Sequence, residues 1–351
     1  MVLGPGGLPG EGHGADGQRR LLPGVSLRRV AGRAAAVTLL LVLACAQGAP
    51  LLGGAEAPAV GRGDLVRFIA VGDAGKGNIA QYRVGLAMQR HCAARTDDRG
   101  PGCDFVAYLG DNFYENGVAG PDDNYWDTRW ADPYRELGLP FYAVLGNHDY
   151  GAQPFDRDRA RAQVEGAAAH PGFVMPAAWY AFDAGPARVI ALDTHAVLMG
   201  WTDDEQADWA REQLDAAGDR WRIALTHHPF RSNGHHGSAG AYEGSRWIPF
   251  ASGGRVRNLY EDILCGRVDL VLSGHDHNRQ WLAPVCGLTQ VISGAGATTI
   301  PLETDEHPAR FADDDSPGFA WIELDGDRMR AEFVDEWGHV DFSTEATRTR
   351  R

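Results

Sequence analysis

An α/β fold is predicted for the folded part of the chain, and three observations predict it. From Gly63 onward, apolar runs of four to seven residues recur, each ending in a polar cluster. Helical patterns lie between several of these runs. After Gly287, strand-like runs follow one another with no clear helix between them. Runs that are apolar throughout, not alternating, fit strands buried on both faces. Alternation of such strands with helices is the pattern of the α/β class.

In chain order, strands are expected at Leu65–Val71, Asp104–Leu109, Pro140–Leu145, Arg188–Leu192, Arg222–Leu225 and Val268–Leu272. Each is rich in Val, Ile, Leu and aromatics, which fit a pleated, buried surface. A helix is expected over Ile79–Cys92. The clearest helix begins at Thr202-Asp203-Asp204-Glu205, a capping-box pattern, carries Ala207, Ala210 and Leu214 on one face and stops at Gly218. A third is expected over Leu259–Gly266. The runs Thr289–Ile292, Ala320–Leu324 and Met329–Val334 predict a second sheet packed beside the first.

The first 62 residues read differently. Gly and Pro are dense up to Gly24; Arg28, Arg29 and Arg33 follow, then an apolar run from Ala34 to Ala46. That run is shorter than the roughly 20 residues a membrane-spanning helix needs. Residues 1–45 are therefore expected to be an export leader. Val42-Leu43-Ala44-Cys45 also resembles a lipobox, which would make Cys45 a lipidation site; plain cleavage is the alternative. Residues 46–62 are small and Gly/Pro-rich, so a flexible tether is expected there, leaving a domain over 63–351. That domain carries a net charge of −17, because residues 1–62 hold six arginines and three acids of the 33 basic and 47 acidic residues. Such a balance argues against a nucleic-acid partner bound by phosphate neutralisation. Of the 33 basic residues only Lys76 is a lysine.

Five cysteines fit export. With Cys45 set aside, four remain as two local couples, Cys92 with Cys103 and Cys265 with Cys286, and disulfides suit an oxidising compartment. No pair has zinc-knuckle spacing.

The residues that follow the strands carry the chemistry. They are Gly72-Asp73-Ala74-Gly75, Gly110-Asp111-Asn112-Phe113-Tyr114, Gly146-Asn147-His148-Asp149, Thr226-His227-His228-Pro229 and Ser273-Gly274-His275-Asp276-His277-Asn278. In open α/β sheets the carboxyl ends of the strands form the functional crevice. Any one of these fragments is an ordinary turn or cap. Five strand ends that each deliver Asp, Asn, Tyr or His predict a metal site.

Taken with Asn116-Gly117 and Ser293-Gly294-Ala295-Gly296, these motifs resemble the calcineurin-like metallophosphoesterases, and among them the small, tartrate-resistant-type purple acid phosphatases. The resemblance runs from about Val66 to Val334. It implies a sandwich of two mixed β-sheets packed face to face and flanked by helices, with a dinuclear metal site at the carboxyl ends of the strands. It also implies a ligand set: Asp73, Tyr114 and His277 for a ferric ion, Asp111 bridging, and Asn147, His227 and His275 for a divalent ion, Fe(II), Zn or Mn. The donor types agree, since carboxylate and phenolate are hard anions suited to Fe(III). The implied activity is hydrolysis of phosphomonoesters by a metal-bound hydroxide, with His148 as general acid or donor to the leaving alcohol. His236, nine residues after His227, matches the family's substrate-side histidine; His235 is the alternative register. His228 stands where an aromatic residue is usual, and a structural role is expected for it.

The long segment Ser238–Arg257 leaves the site directly after His236 and holds Tyr242, Arg246, Trp247, Phe250 and Arg255. It reads either as a packed surface loop or as a substrate lid whose arginines meet extra phosphates or carboxylates. The connection from Thr194 to Thr202 is short, whereas mammalian members carry a long protease-sensitive loop there, so proteolytic regulation is not implied. The whole predicts an exported, monomeric bacterial acid phosphatase, periplasmic, extracellular or lipid-anchored, acting on small phosphorylated substrates. Two other readings are a divalent-metal phosphodiesterase or nucleotidase, against which Tyr114 argues, and an iron-redox protein generating reactive oxygen.

Overall fold

The computed structural model describes residues 53–151, 156–244 and 252–348. The expected leader with Cys45, residues 46–52, and Arg246, Trp247 and Phe250 of the long loop lie outside the described residues.

The apolar run Leu65–Val71 forms strand β2, and both of its faces are buried. Val66, Phe68 and Ala70 point into one core, while Ile69 and Val71 point into another with Val84, Ala87 and Met88 of the helix Ile79–Arg95. Strand β3 (Phe105–Tyr108) divides its residues in the same way. Burial on two faces is why these strands are continuous hydrophobic runs.

Around β2 a seven-stranded sheet is ordered β15-β14-β13-β2-β3-β4-β5, with β4 (Phe141–Ala143) and β5 (Phe173–Val174) parallel to β3 and β2. On the other side β13 (Gly318–Asp325), β14 (Arg328–Asp335) and β15 (Val340–Thr347) add antiparallel strands. The second sheet is ordered β1-β6-β7-β8-β9-β11-β10-β12. Its parallel centre is β7 (Ala187–Ala191), β8 (Trp221–Leu225), β9 (Leu270–Ser273) and β11 (Thr289–Ser293). The outer strands are β1 (Ala55–Glu56), β6 (Tyr180–Ala184), β10 (Arg279–Leu282) and β12 (Ala309–Asp313).

The two sheets share one core. Phe68 stacks on Phe105 at 4.8 Å, and Tyr142 of the first sheet stacks on Phe182 of the second at 4.0 Å. Leu225, Leu272 and Val291 complete it from the second sheet. The opposite face of that sheet, with Ile190, Ala224 and Val271, packs against the helices Asp203–Asp215 and Gly254–Leu259 and the turn Tyr260–Leu264. The result is the expected two-sheet sandwich. Cys92–Cys103 and Cys265–Cys286 are disulfides with Cα–Cα distances of 5.3 and 5.2 Å, within the range such bonds favour.

The structure corrects several finer expectations. The runs after Gly287 do not form the second sheet alone: β11 pairs with β9, but β13 pairs with β2 and carries β14 and β15 into the first sheet. Residues 53–62 are no flexible tether. Ala55 and Glu56 pair with Tyr180 and Ala181, Gly54 N donates to Trp179 O at 2.8 Å, and a Cβ on Gly53 would strike the Trp179 ring. Thr202 precedes the helix Asp203–Asp215 but makes no side-chain cap; its hydroxyl accepts from Gln206 Nε2 at 3.1 Å. The helix expected from Leu259 begins five residues earlier, after Gly253 in the left-handed region at φ 73°. Strands β12 and β15 are mostly exposed edges, too polar to read as buried runs.

Candidate metal centre

Strands β2, β3 and β4 of one sheet and β8 and β9 of the other end side by side. Asp73 follows β2, Asp111 and Tyr114 follow β3, Asn147 and His148 follow β4, His227 follows β8, and His275 and His277 follow β9. Their loops are stitched together within each sheet and across the two. Gly274 N donates to His227 O at 3.1 Å, and His275 N donates to Asp73 Oδ2 at 2.8 Å. His148 N donates to Asp111 Oδ1 at 2.8 Å.

The backbone is strained where these side chains turn inward. Asp73, Asp111 and His275 have φ of 57°, 51° and 70°. A non-glycine residue held there costs on the order of 1–3 kcal/mol, and such strain gathers at functional sites. Glycines line the cradle because nothing larger fits. A Cβ on Gly146 would lie 2.2 Å from Asp111 Oδ1, one on Gly274 2.4 Å from Asp73 Oδ2, and one on Gly110 2.5 Å from His227 Nδ1.

Two groups of donor atoms result. In the first, the Tyr114 hydroxyl lies 3.1 Å from Asp73 Oδ1 and 3.0 Å from His277 Nε2, with His277 Nε2 to Asp73 Oδ1 at 3.4 Å. In the second, His227 Nε2 lies 3.0 Å from Asn147 Oδ1 and 3.5 Å from Asp111 Oδ1, and the His275 ring is 5.0 Å from that of His227. Potential ligand atoms of Asp73, Asp111 and His227 all fall within 4.8 Å of one another. His227 Nδ1 is 2.9 Å from Leu109 O, a carbonyl that can only accept, so the proton is on Nδ1 and the Nε2 lone pair faces the site.

The electrostatics suit cations. Burial would raise the Asp111 carboxyl, but positive charge on His227 or His148, with hydrogen bonds from the His148 N–H and the Tyr114 hydroxyl, outweighs it and holds its pKa below the ordinary value, so the site favours a cation beside Asp111. Burial, with the neighbouring histidines, pushes His275 far below the usual histidine range, which keeps it neutral as a ligand must be. Burial first, then Asp111 and Asp73, push the Tyr114 phenol well above its usual value. Only a strongly charged cation would convert it to phenolate. Convergent carboxylate, phenol, amide and imidazole atoms in a glycine-lined cradle fit a pair of metal ions.

The remaining residues surround this centre. His148 lies beside Tyr114, ring centroids 4.5 Å apart, with Nε2 4.0 Å from Asp111 Oδ2 and Nδ1 2.9 Å from Glu115 O. His236 stacks on His275 at 4.4 Å, whereas His235 is exposed and pairs with Glu303 at 2.5 Å. His228 is buried behind His275 at 4.5 Å and bonds Thr194 Oγ1 at 3.0 Å. Tyr242 is buried against His228 and His275, its hydroxyl donating to Pro229 O. Arg255 is packed against Gly200 and lines a cavity with Arg211 and Asp262. It therefore lies in the helical layer.

Three site residues have roles that the motifs do not reveal. Asp149 accepts from the backbone N–H of Asn112, Phe113 and Gly146 at 2.8–3.2 Å, clamping the second and third strand-end loops together. Asp276 Oδ1 accepts from His236 N at 2.8 Å. Glu243, at φ 55°, returns its backbone N–H to His236 O at 3.0 Å and places Oε1 2.5 Å from His236 Nδ1.

Residues 66–279, more than half of the chain, match the calcineurin-like phosphoesterase family, and the chain belongs to it, as a hydrolase of the metallophosphoesterase class. Within that family it is purple acid phosphatase-like. It is 27% identical to tartrate-resistant acid phosphatase type 5 of Rattus norvegicus over 86% of this chain and 95% of that one. It is 25% identical to purple acid phosphatase 3 of Arabidopsis thaliana over 78% and 76%. Among solved structures, the purple acid phosphatase PPD1 of yellow lupin superposes with a TM-score of 0.60 at 19% identity, covering 82% of this chain and 54% of that one. GAP50 of Plasmodium, the anchor in the inner membrane complex, superposes at 0.65 and 21% over 82% and 90%. These two likenesses concern the fold.

Proposed function

We propose that this chain is an exported acid phosphatase that hydrolyses phosphomonoesters at an Fe(III)–M(II) centre, M being Fe(II), Zn or Mn. The observation that carries the reading is the Tyr114 hydroxyl set 3.0–3.1 Å from both Asp73 and His277. A phenol there serves a ferric ion, whereas a site for two divalent ions has no need of it. Asp73, Tyr114 and His277 would hold the ferric ion, Asn147, His227 and His275 the divalent one, and Asp111 would lie between them. Bound ions would supply positive charge to the phosphoryl oxygens and acidify water at mildly low pH. Export is supported by the two disulfides and the leader-like sequence; among the described residues no helix is long and apolar enough to cross a membrane.

The chain's own residues handle the proton. Glu115 O fixes one proton on His148 Nδ1, so a second proton goes to Nε2, the nitrogen near Asp111. That N–H is the one to donate to the leaving alkoxide. His236, partly exposed beside His275, would meet the phosphoryl oxygens as a cation. Comparing turnover of matched phosphate monoesters and diesters tests the substrate class: the monoester is expected to be strongly preferred, and a preference for the diester would transfer the chain to the divalent phosphodiesterases.

A pH prediction follows from the pair Glu243–His236. Burial opposes the His236 cation, but Glu243, Asp276 and Asp73 outweigh it and raise its pKa above the ordinary value, while His236 holds Glu243 below its own. A raised histidine keeps its charge up to a higher pH, and a lowered carboxyl keeps its charge down to a lower one. The ion pair is therefore present across the mildly acidic range and is lost first on the alkaline side. In Glu243→Gln the burial remains with only Asp276 and Asp73 to offset it. The alkaline limb of kcat/KM is expected to move to lower pH and KM to rise; an unchanged profile would mean that the His236 charge is not used.

A further inference from the structure

The single lysine of the chain sits on the phenol of the centre. Lys76 Nζ lies 4.0 Å from the centroid of the Tyr114 ring, over its face. The backbone holds it there. Gly75 O accepts from Tyr114 N at 2.9 Å, and Lys76 N donates to Ala74 O at 2.8 Å. A Cβ on Gly75 would fall 1.8 Å from Asn112 O, so the first strand-end loop is pressed onto the second with no room between. Lys76 is half-buried, and every other basic residue is arginine. An ammonium is a compact point charge that fits over a ring, where a planar guanidinium would stack.

We propose that Lys76 acts through Tyr114, setting how strongly that ligand donates to its ion and hence the ion's colour and its preference for the oxidised or reduced state. This rests on the reading of Tyr114 as a ligand to Fe(III). A phenolate ring carries more negative charge than a phenol, and the ammonium above it stabilises that charge. Light absorption that moves an electron from ring to iron takes negative charge from beneath the ammonium, so Lys76 raises the transition energy. One-electron reduction of the iron adds negative charge near the same cation, so Lys76 favours the ferrous state.

The test is the visible spectrum of the iron-loaded protein with Lys76 intact, in Lys76→Met and in Lys76→Arg. In Lys76→Met the charge-transfer band is expected to move to longer wavelength, and a fixed excess of a thiol reductant, itself oxidised to disulfide, should convert a smaller fraction of the iron. Lys76→Arg keeps the charge and should stay near the parent spectrum. An unmoved band in Lys76→Met, at equal iron content, would overturn the inference. Loss of iron from both Lys76→Met and Lys76→Gln, with native circular dichroism, would also overturn it by making Lys76 a determinant of binding. A parent protein that holds iron without any such band would remove the reading of Tyr114 itself, and this inference with it. That failure shows before any substitution is made.

Discussion

Asp111→Asn is expected to leave the protein folded, to reduce bound metal from two ions per chain to one or fewer, and to abolish most turnover. Asp111 is almost completely buried, at 2% exposure, and lies between the two donor groups, with Oδ1 3.5 Å from His227 Nε2. Asparagine matches its shape but loses the charge that holds two cations at short separation. It also turns an N–H₂ toward one of them, or toward the His148 amide that now donates to Oδ1. Loss of an outer hydrogen-bond partner of a metal ligand typically reduces affinity or activity roughly 10–100-fold, and loss of the carboxylate between two ions should exceed that. Metal analysis beside circular dichroism reads the first effect, and kcat reads the second. Two ions still bound with near-parent kcat would refute the role given to Asp111.

His148→Ala is expected to lower kcat by roughly 10²–10⁴, the usual contribution of a positioned general acid, while both ions stay bound. The loss should depend on the leaving group. A basic alkoxide must take a proton as it departs, so alkyl phosphates should suffer most. An acidic phenol can leave as its anion, so an activated aryl phosphate should suffer least. A series of monoesters graded by leaving-group pKa checks this, and an equal loss for all of them would mean that His148 orients substrate without transferring a proton. The geometry favours transfer, because the Glu115 carbonyl commits Nδ1 and leaves Nε2 for the second proton.

Much of this was legible in the residues alone. Strands buried on both faces, such as Leu65–Val71 and Leu270–Ser273, carry enough apolar side chains to be read as runs, and the polar residues that end them mark the crevice. Asp73, Tyr114 and His277 come from three separate strand ends, and the structure brings them within 3.4 Å of one another. Harder to read was anything set by contacts across the fold. β15 is polar and mostly exposed, and only its pairing with β14 makes it a strand. Residues 53–62 look like a linker because small residues and proline dominate, yet Gly53 is small so that the chain can pass over Trp179. Asp149 stands in a visible motif, but its clamp on Asn112 and Phe113 spans 37 and 36 residues of chain. Glu243 reaches back to His236 through a turn with Gly237, Gly240 and Glu243 itself at positive φ, and no spacing rule announces that turn. The long loop illustrates the same limit: its arginines read as surface or lid residues, and of the two described, Arg255 lies against Gly200 in the helical layer and Arg257 lies near Gly240 and Glu261.

The most direct test of the account is the visible absorption spectrum of the aerobically purified protein, recorded beside Tyr114→Phe. The account predicts a tyrosinate-to-iron charge-transfer band in the parent, which the substitution shifts or removes. A colourless protein that binds zinc or manganese and still cleaves phosphate esters would contradict it, and Tyr114 would then be a neighbour of the centre and no part of it.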